Sequence, residues 1–125
     1  MTEENSEGPP GPLDIKPPKV AITIAASWTL IAHNRNVLKG WEYLSRHTPE
    51  DAQHCYDWLH EHAMLARPRR CYALKGRAHA GCWCYEIGSG NRVYYKPDDA
   101  TKTAVIYYAG PHPNAVPVPP KSLAG

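Results

Sequence analysis

The spacing of apolar residues changes at Pro68, and this change constrains the fold more than any other feature of the sequence. Before Pro68, apolar side chains recur every three, four or seven residues, as they do on one face of an amphipathic helix. After it, the pattern repeats every two residues, which is typical of strands. The strand-like runs are residues 71–76, 82–88, 92–96 and 103–110. The sequence therefore predicts helices that pack against a sheet.

The helical half is expected to form a hairpin. One apolar stripe predicts a first helix over residues 30–46. The stripe consists of Leu30, Val37, Leu38, Trp41 and Leu44. Thr48 is expected to cap a second helix that begins at Pro49, because proline suits the first helical position and Glu50 and Asp51 suit the first turn. This helix should continue through His62 and stop before Arg67 and Pro68. The short link between the two helices predicts that they run antiparallel.

The segment Val20–Ala25 alternates β-branched residues, which predicts a strand ahead of the helices. The order of elements is then β-α-α-β-β-β-β, and the fold class is α+β. Residues 88–91 and 97–100 are hairpin-length connections, so the last three strands should form an antiparallel meander. We expect a twisted, mainly antiparallel sheet with the helical hairpin on one face and the other face at least partly open.

The two-residue period assigns side chains to the two faces of this sheet. The residues expected to face the helices are Trp83, Tyr85, Ile87, Val93 and Tyr95. Those expected on the open face are Cys82, Cys84, Glu86, Arg92, Tyr94 and Lys96. The sequence thus predicts an open face that is both basic and aromatic.

Prolines mark the two ends of the chain. Of the 13 prolines, five lie in residues 1–19 and five in 111–125. We expect residues 1–19 to be a disordered acidic, proline-rich arm and 114–125 a disordered proline-rich tail, because neither has enough apolar residues to offset the entropy of ordering. One domain over residues 20–113 remains. With neither a long apolar stretch nor a signal-peptide pattern, we expect a soluble cytoplasmic protein with no membrane partner.

The four cysteines suggest neither disulfides nor a metal centre. A cytosolic compartment keeps thiols reduced, so free thiols are expected. Cys82, Cys84 and nearby His79 lack the second ligand pair of a typical zinc site, while Cys55 and Cys71 stand alone. We therefore expect no metal and no cofactor.

Positive charge is concentrated between Arg67 and Lys96, where seven Lys and Arg residues accompany one acid, Glu86. Such a run can bind phosphates or an acidic protein segment. Equally, it can be a solvated sheet edge whose charges prevent aggregation. The sequence leaves both interpretations open.

Several motifs occur together in a recognisable order after the helical hairpin. They are LKG (74–76), GCWCYEIG (81–88), NRVYY (91–95), Asp98-Asp99 and YAGPHP (108–113). In this order and spacing they resemble the motifs of the RelE/ParE superfamily of bacterial toxins. Their residues are most similar to those of actinobacterial RelE-type members. The resemblance covers residues 20–113 and implies the RelE/ParE-like fold.

The resemblance implies a toxin of a type II toxin–antitoxin system that arrests bacterial growth. The leading form is a RelE-like, ribosome-dependent mRNA endoribonuclease that inhibits translation. The alternatives are a ParE-like protein that binds gyrase and a catalytically inactive interaction module. The implied partners are an antitoxin, expected to be a helix-turn-helix protein, together with mRNA and the ribosome for a nuclease.

The resemblance also implies site residues. The candidate catalytic residues are Arg92, His112 and Glu86, and the candidate RNA-binding residues are Lys75, Arg77, Tyr94 and Lys96. Cleavage by the adjacent 2′-hydroxyl requires a proton acceptor, a proton donor and a cation for the developing charge. The alternative roles are an Arg92–Glu86 salt bridge, a solvated His112, a packed Tyr94, and Lys75 and Arg77 that are simply exposed.

The third strand departs from the nuclease pattern at Cys84 and Glu86. Active toxins often have Lys or Arg at these positions, so two cations that would stabilise the phosphate are missing here. Glu86 is chemically coherent as a general base beside Arg92 and His112. The same departure also fits an inactive binding module.

Overall fold

The structure is a computed structural model that describes residues 13–16 and 27–123. This part of the chain contains two helices and six strands. In chain order they are β1 (Leu13–Asp14), β2 (Thr29–Ala32), α1 (Arg35–His47), α2 (Pro49–His62), β3 (Cys71–Ala73), β4 (Trp83–Ile87), β5 (Asn91–Asp98) and β6 (Thr103–Pro111). The fold is α+β, as the sequence predicts.

The described strands form one sheet in the order β1-β2-β6-β5-β4-β3. All neighbouring pairs are antiparallel except β2 and β6, which run parallel. The predicted meander is confirmed, because β4, β5 and β6 pair in sequence. The strand predicted at Val20–Ala25 lies outside the described residues.

Helix α1 begins five residues later than the sequence predicts. Residues 30–32 lie in β2, where Leu30 and Ala32 are buried and pair with β6. The helix starts after Asn34, whose side-chain oxygen accepts a hydrogen bond from the backbone N–H of Val37 at 2.9 Å. This side-chain cap satisfies a donor that the first helical turn leaves free, so the helix begins here.

Helix α2 begins at Pro49 as predicted and ends at His62, a few residues before the predicted end near Arg67. Thr48 occupies the N-cap position, but its side chain makes no capping hydrogen bond to α2. Its hydroxyl donates instead to the carbonyl of Leu44 at 2.8 Å, and its backbone N–H bonds the same oxygen, so Thr48 closes α1. Pro49 occupies the first turn of α2, where a missing N–H costs nothing. Within residues 13–16 and 27–123, no helix has the length and apolar character needed to cross a bilayer.

The main core lies between the helices and one face of the sheet. Tyr85, Ile87, Val93 and Tyr95 are buried there and Trp83 packs against them, which confirms the predicted inward face. The Tyr95 hydroxyl donates to the carbonyl of Ala63 just after α2 at 2.7 Å. This bond satisfies a buried polar group while it ties the middle of the sheet to the helix pair.

Strand β6 contains a bulge that the alternating pattern does not reveal. Tyr94 pairs with Tyr108 and Tyr95 pairs with Ile106, so Tyr107 has no partner on β5. Tyr107 and Tyr108 consequently both lie on the open face, whereas Ala109 faces the main core. One extra residue thus reverses the faces of everything that follows it.

Parts of both proline-rich ends lie against the sheet. In the arm predicted to be disordered, β1 pairs with β2, Ile15 is buried, and the indole N–H of Trp41 donates to Lys16 O at 2.9 Å. In the tail predicted to be disordered, Leu123 packs on the open face. The expected domain limits of 20–113 therefore omit two segments that contact the domain.

Helix α1 approaches the backbone of β6 closely at Gly40. A Cβ at this position would lie 2.1 Å from the carbonyl oxygen of Ala109. Gly→Ala within a helix ordinarily stabilises by about 0.5–1 kcal/mol. Here we expect Gly40→Ala to destabilise by roughly 1–3 kcal/mol, because α1 must move away from β6.

Denaturant unfolding followed by circular dichroism measures this change, with Gly90→Ala as the matched control. A Cβ at Gly90 would meet no atom within 4 Å, so that variant should unfold like the parent. Equal stability of the two variants would contradict the close packing of α1 on β6.

Candidate nucleic-acid interface on the open face

The open face is the side of the sheet away from α1 and α2. It has its own small core of Cys82, Cys84, Tyr94 and Tyr107, against which Leu74, Tyr108 and Leu123 pack. Tyr94 lies 5.8 Å from Tyr108 between ring centroids, in an edge-on arrangement. The predicted aromatic character of this face is therefore present, but Tyr94 is buried and packed rather than displayed. Tyr94 therefore has the packing role that is the alternative to stacking on a base.

Glu86 and Arg92 face each other across the β4–β5 pair. Arg92 Nη2 lies 3.8 Å from Glu86 Oε1, and the Tyr72 hydroxyl donates to Glu86 Oε2 at 2.8 Å. One carboxylate oxygen therefore faces a cation and the other holds a neutral donor. Both carboxylate oxygens of Glu86 are therefore engaged in the free protein.

Arg92 is held close to the sheet. Its side chain is 12% exposed, compared with 27% for Glu86, and it also donates to the carbonyl of Asn91 at 2.9 Å. The cross-strand salt bridge, one of the two roles considered for Arg92, is thus present. An incoming phosphate would have to compete with Glu86 for the guanidinium.

His112 lies on the same face, just beyond β6. Gly110 pairs with Arg92, and the backbone N–H of His112 donates to Gly90 O at 2.8 Å. Two residues of strand place His112 about 7 Å along the sheet from the Arg92 row. Its Nδ1 lies 2.8 Å from Pro113 O, which can only accept, so Nδ1 carries a proton. The exposed ring therefore keeps Nε2 available for a proton.

The candidate RNA-binding cations lie at the other end of the sheet. Lys75 directly follows Leu74, whose N–H donates to Cys82 O, and Arg77 begins the short 3₁₀ turn Arg77–His79. Lys96 reaches the same end, since its Cε lies 3.5 Å from the position of a Cβ on Gly81. Glu86 lies four positions after Cys82 along the chain, so the two groups are roughly 13 Å apart. The structure does not gather all seven predicted residues into one cluster.

Lys75 and Arg77 are exposed, whereas Lys96 is already engaged. The Lys96 ammonium donates to the carbonyl of Leu123 at 2.7 Å. The predicted cationic character of this end therefore rests on Lys75 and Arg77.

Two arginines of the basic run serve the fold. Arg70 donates to the carbonyls of Glu86 at 2.8 Å and Gly88 at 3.0 Å, holding the β4–β5 turn. Arg67 donates to the Tyr85 hydroxyl at 3.1 Å and lies over the Trp58 ring. Part of the positive charge between residues 67 and 96 is thus used inside the molecule, an outcome that neither interpretation of the run includes.

Tyr72 and Tyr108 are the site residues that sequence reasoning missed. Tyr72 pairs with Cys84 and so shares the open face with Glu86. The two-residue period of Cys71–Ala73 contains this information, because Cys71 faces the main core. Tyr108 lies against Gly110, and its hydroxyl donates to Pro111 O. No sequence signal locates Tyr108, since its face depends on the bulge.

The thiol and phenols of this face stay protonated near neutral pH. Burial raises the pKa of Cys84 to about 11 and that of Tyr94 to about 12. Burial, and then its hydrogen bond to Glu86, raise the pKa of Tyr72 far above its usual range. A thiol in this state is a poor nucleophile. Of the candidate catalytic residues, Glu86 and His112 are therefore the ones whose side chains can accept or donate a proton in the proposed chemistry.

Comparisons with family models and with curated proteins find no match. Among solved structures, a chain of the YoeB–YefM complex from Staphylococcus aureus superposes with a TM-score of 0.54 at 14% identity, covering 70% of this chain and 100% of that one. The YoeB/ParE toxin from Agrobacterium tumefaciens gives 0.53 at 16% identity, covering 67% and 98%. A heterotetrameric YoeB–YefM toxin–antitoxin complex from S. aureus gives 0.54 at 14% identity. The chain therefore has the fold of RelE/ParE-type toxins, as its motifs imply.

The raised pKa values predict that the protein loses stability in alkaline solution. The pKa of Cys84 rises from its usual 9.0 to about 11 in the folded state, so the folded protein favours the neutral thiol. This contribution is complete below pH 9 and is lost as the pH rises towards 11, because the unfolded chain ionises first. We expect the free energy of unfolding to fall by on the order of 2 kcal/mol from Cys84 alone.

Denaturant titrations at a series of pH values measure this loss. The Cys84→Ala variant is the control, and the quantity to compare is the change with pH rather than the absolute stability. Its free energy of unfolding should fall less than that of the parent between pH 9 and 11. The decrease that remains comes from tyrosines such as Tyr94. A Cys84→Ala variant with the same pH dependence as the parent would show that the thiol does not ionise on unfolding as described.

Proposed function

We propose that this protein is the toxin of a bacterial type II toxin–antitoxin pair and acts as a RelE-like mRNA endoribonuclease that inhibits translation on the ribosome. The observation that carries the proposal is the row formed by Glu86, Arg92 and Gly110 across three strands, with His112 on the same face. It supplies a proton acceptor, a cation and a titratable ring on a fold shared with YoeB and ParE toxins.

In the proposed reaction, Glu86 accepts the proton of a ribose 2′-hydroxyl. The 2′-oxygen then forms a bond to phosphorus while the bond from phosphorus to the 5′-oxygen breaks. Protonated His112 donates a proton from Nε2 to the departing oxygen, which leaves a 2′,3′-cyclic phosphate and a 5′-hydroxyl. Arg92 moves from Glu86 to the phosphate, where its fork of donors stabilises the extra negative charge.

Tyr72 has a positioning role in this scheme. Its hydroxyl donates to Glu86 Oε2 and so leaves Oε1, the oxygen near Arg92, to face the substrate. Because the pKa of Tyr72 is raised, the phenol remains a donor throughout the working pH range. The general base is therefore oriented by a group that does not itself titrate.

The exposed cations at the far end of the sheet are proposed to bind flanking phosphates. Lys75 and Arg77 lie roughly 13 Å from Glu86, a distance of two to three nucleotides of extended strand. Lys96 lies at the same end and joins them when its ammonium is free. Tyr94 is proposed to support the RNA-facing surface from below, since its ring is buried.

The proposed protein partner is an antitoxin, expected to be a helix-turn-helix protein. The fold neighbours from S. aureus are described as YoeB–YefM toxin–antitoxin complexes. A basic open face that attracts RNA can equally attract an acidic segment of such a partner. Binding there would keep the nuclease inactive.

A non-catalytic binding module is the second candidate. The salt bridge and the low exposure of Arg92 support it, because a guanidinium neutralised by Glu86 offers less to a phosphate. Cys84, a protonated thiol, occupies a position where an active toxin would often carry a cation. In this case the same face would bind a protein, such as gyrase or an antitoxin, without cleaving RNA.

Removing the central charges should abolish cleavage. We expect Arg92→Ala to slow it by about a hundredfold or more, comparable to the loss of an oxyanion donor. His112→Ala should cost about 10² to 10⁴ if the ring transfers a proton. Glu86→Gln retains an oxygen for the Tyr72 hydroxyl but cannot accept the proton, so it should also be inactive. Primer-extension mapping of transcripts after induction, together with growth curves, measures the effect.

Arg35→Ala is the matched control, because it removes an arginine that is exposed at the start of α1, on the helix side of the sheet. It should remain fully toxic at equal expression. Toxicity in all three site variants would refute the assignment of chemistry to this face. Growth arrest without new transcript ends in the parent would instead favour the binding module.

The flanking cations should control the salt dependence of RNA binding. Each phosphate contact to a single strand contributes about −0.7 to the slope of log affinity against log salt. Lys75→Ala and Arg77→Ala should each weaken binding and make this slope shallower by about 0.7. Fluorescence anisotropy with a short single-stranded RNA measures both quantities.

Lys39→Ala, an exposed lysine of α1, is the control and should change neither the affinity nor the slope. If the Lys39 variant and the Lys75 variant weaken binding equally, the effect comes from net charge and not from a specific interface.

A further inference from the structure

The segment from His112 to Leu123 runs from one end of the open face to the other. At its start, the N–H of His112 donates to Gly90 O at the β4–β5 turn. At its end, Leu123 packs on the open-face core and its carbonyl accepts from Lys96. Lys96 lies five residues along β5 from the end near His112, which corresponds to roughly 17 Å of strand. The segment thus spans the surface that the proposed RNA would follow.

We propose that residues 114–123 are a tethered occupant of the open face that competes with single-stranded RNA for the end containing Lys96. This inference rests on the proposed function, because the competitor is the RNA of that proposal. The segment holds the face in a closed form, and RNA binds when the segment detaches.

The contacts at the end of the segment match those that RNA would use. The Leu123 carbonyl takes the Lys96 ammonium, which would otherwise meet a phosphate. The Leu123 side chain packs on the open-face core that contains Tyr94 and Tyr107, so its detachment would expose more of this aromatic surface to a base. One short 3₁₀ turn, Lys121–Leu123, therefore engages a cation and covers part of the aromatic core.

The segment is built to dock reversibly. Prolines at 113, 117, 119 and 120 restrict its backbone before it docks, so less entropy is lost on binding. Within residues 114–123 its hold consists of four partly buried side chains, Pro117, Pro119, Pro120 and Leu123, and one hydrogen bond from Lys96. A cavity of about 480 Å³ remains beside Leu123, lined by Lys96, Asp98 and Val105 among others. A contact this loosely packed can open without disturbing the main core.

The chemistry of docking differs from that of RNA binding. Residues 112–125 contain no Asp or Glu, so the segment does not act as an acidic mimic of RNA. Its contact is apolar with one hydrogen bond, and salt should affect it little, whereas RNA binding weakens steeply with salt. Because the segment is tethered, its effective concentration is high and even a weak contact stays mostly closed.

The test compares four proteins. They are the full chain, a form ending at Pro113, Leu123→Ser, and the control Val118→Ser. Val118 lies on the same segment but is 64% exposed, so its change should leave docking intact. If the segment is docked about nine-tenths of the time, the truncated form and Leu123→Ser should bind a short single-stranded RNA about tenfold more tightly than the full chain. Val118→Ser should bind like the full chain.

Lysine acetylation without RNA provides a readout of docking alone. Lys96 should react several-fold faster with acetic anhydride in the truncated form and in Leu123→Ser, because its amine no longer bonds the Leu123 carbonyl. Lys75 is exposed in the full chain and serves as the internal reference. Mass spectrometry of the two peptides gives the ratio of their rates.

The two readouts separate the possible failures. Tighter RNA binding together with faster Lys96 acetylation in both altered forms supports the proposal. Faster acetylation with unchanged RNA binding overturns it, because the segment would dock without competing. An unchanged acetylation ratio overturns it as well, since the segment would not dock. If none of the four proteins binds RNA, the proposed function fails and the competition fails with it, while the acetylation ratio still reports whether the segment docks.

Discussion

The unpaired Tyr107 in β6 determines how the two faces of this sheet are composed. Without it, the alternation that buries Ala104 and Ile106 would next bury Tyr108 and turn Ala109 outward. With it, the small Ala109 meets Gly40, and α1 can approach the backbone of β6. The same shift directs Gly110 and His112 to the side of Arg92. Helix packing and the proposed site therefore depend on one bulge, in keeping with the role of bulges in redirecting side chains.

The Glu86–Arg92 pair gives the open face two electrostatic states. At rest the two charges neutralise each other, and Tyr72 satisfies the remaining carboxylate oxygen. In the proposed reaction a phosphate takes the guanidinium and so frees Glu86 Oε1. The substrate that engages Arg92 would thus uncover the oxygen that accepts its 2′-hydroxyl proton. The salt bridge that favours an inert module also supplies this coupling.

Sequence periodicity predicts most of the fold, because in a long amphipathic helix or an alternating strand the repeat itself shows which side chains face the core. Helix α2, the β4–β5–β6 meander and the inward set around Tyr85 follow from it. Residues 30–32 of β2 fall within the predicted first helix, because Leu30 continues its apolar stripe. The start of α1 is set by the side chain of Asn34. The bulge cannot be predicted from the sequence, because residues 104–109 are all apolar or aromatic and no alternation shows which of them face the core. The same limit applies to the candidate site. Arg92 and Glu86 can be placed on one face because they lie in an alternating hairpin, whereas the positions of Tyr108 and Leu123 depend on non-local packing.

The number of exposed cations bears on the proposed cleavage of RNA. Arg67 and Arg70 hold the β4–β5 region, Arg92 is paired, and Lys96 is covered by Leu123. Of the seven cations between Arg67 and Lys96, Arg69, Lys75 and Arg77 are exposed. Two or three phosphate contacts give weak affinity at physiological salt. A nuclease with so few phosphate contacts needs another partner to hold its substrate, and a ribosome that fixes the mRNA in place would meet that need.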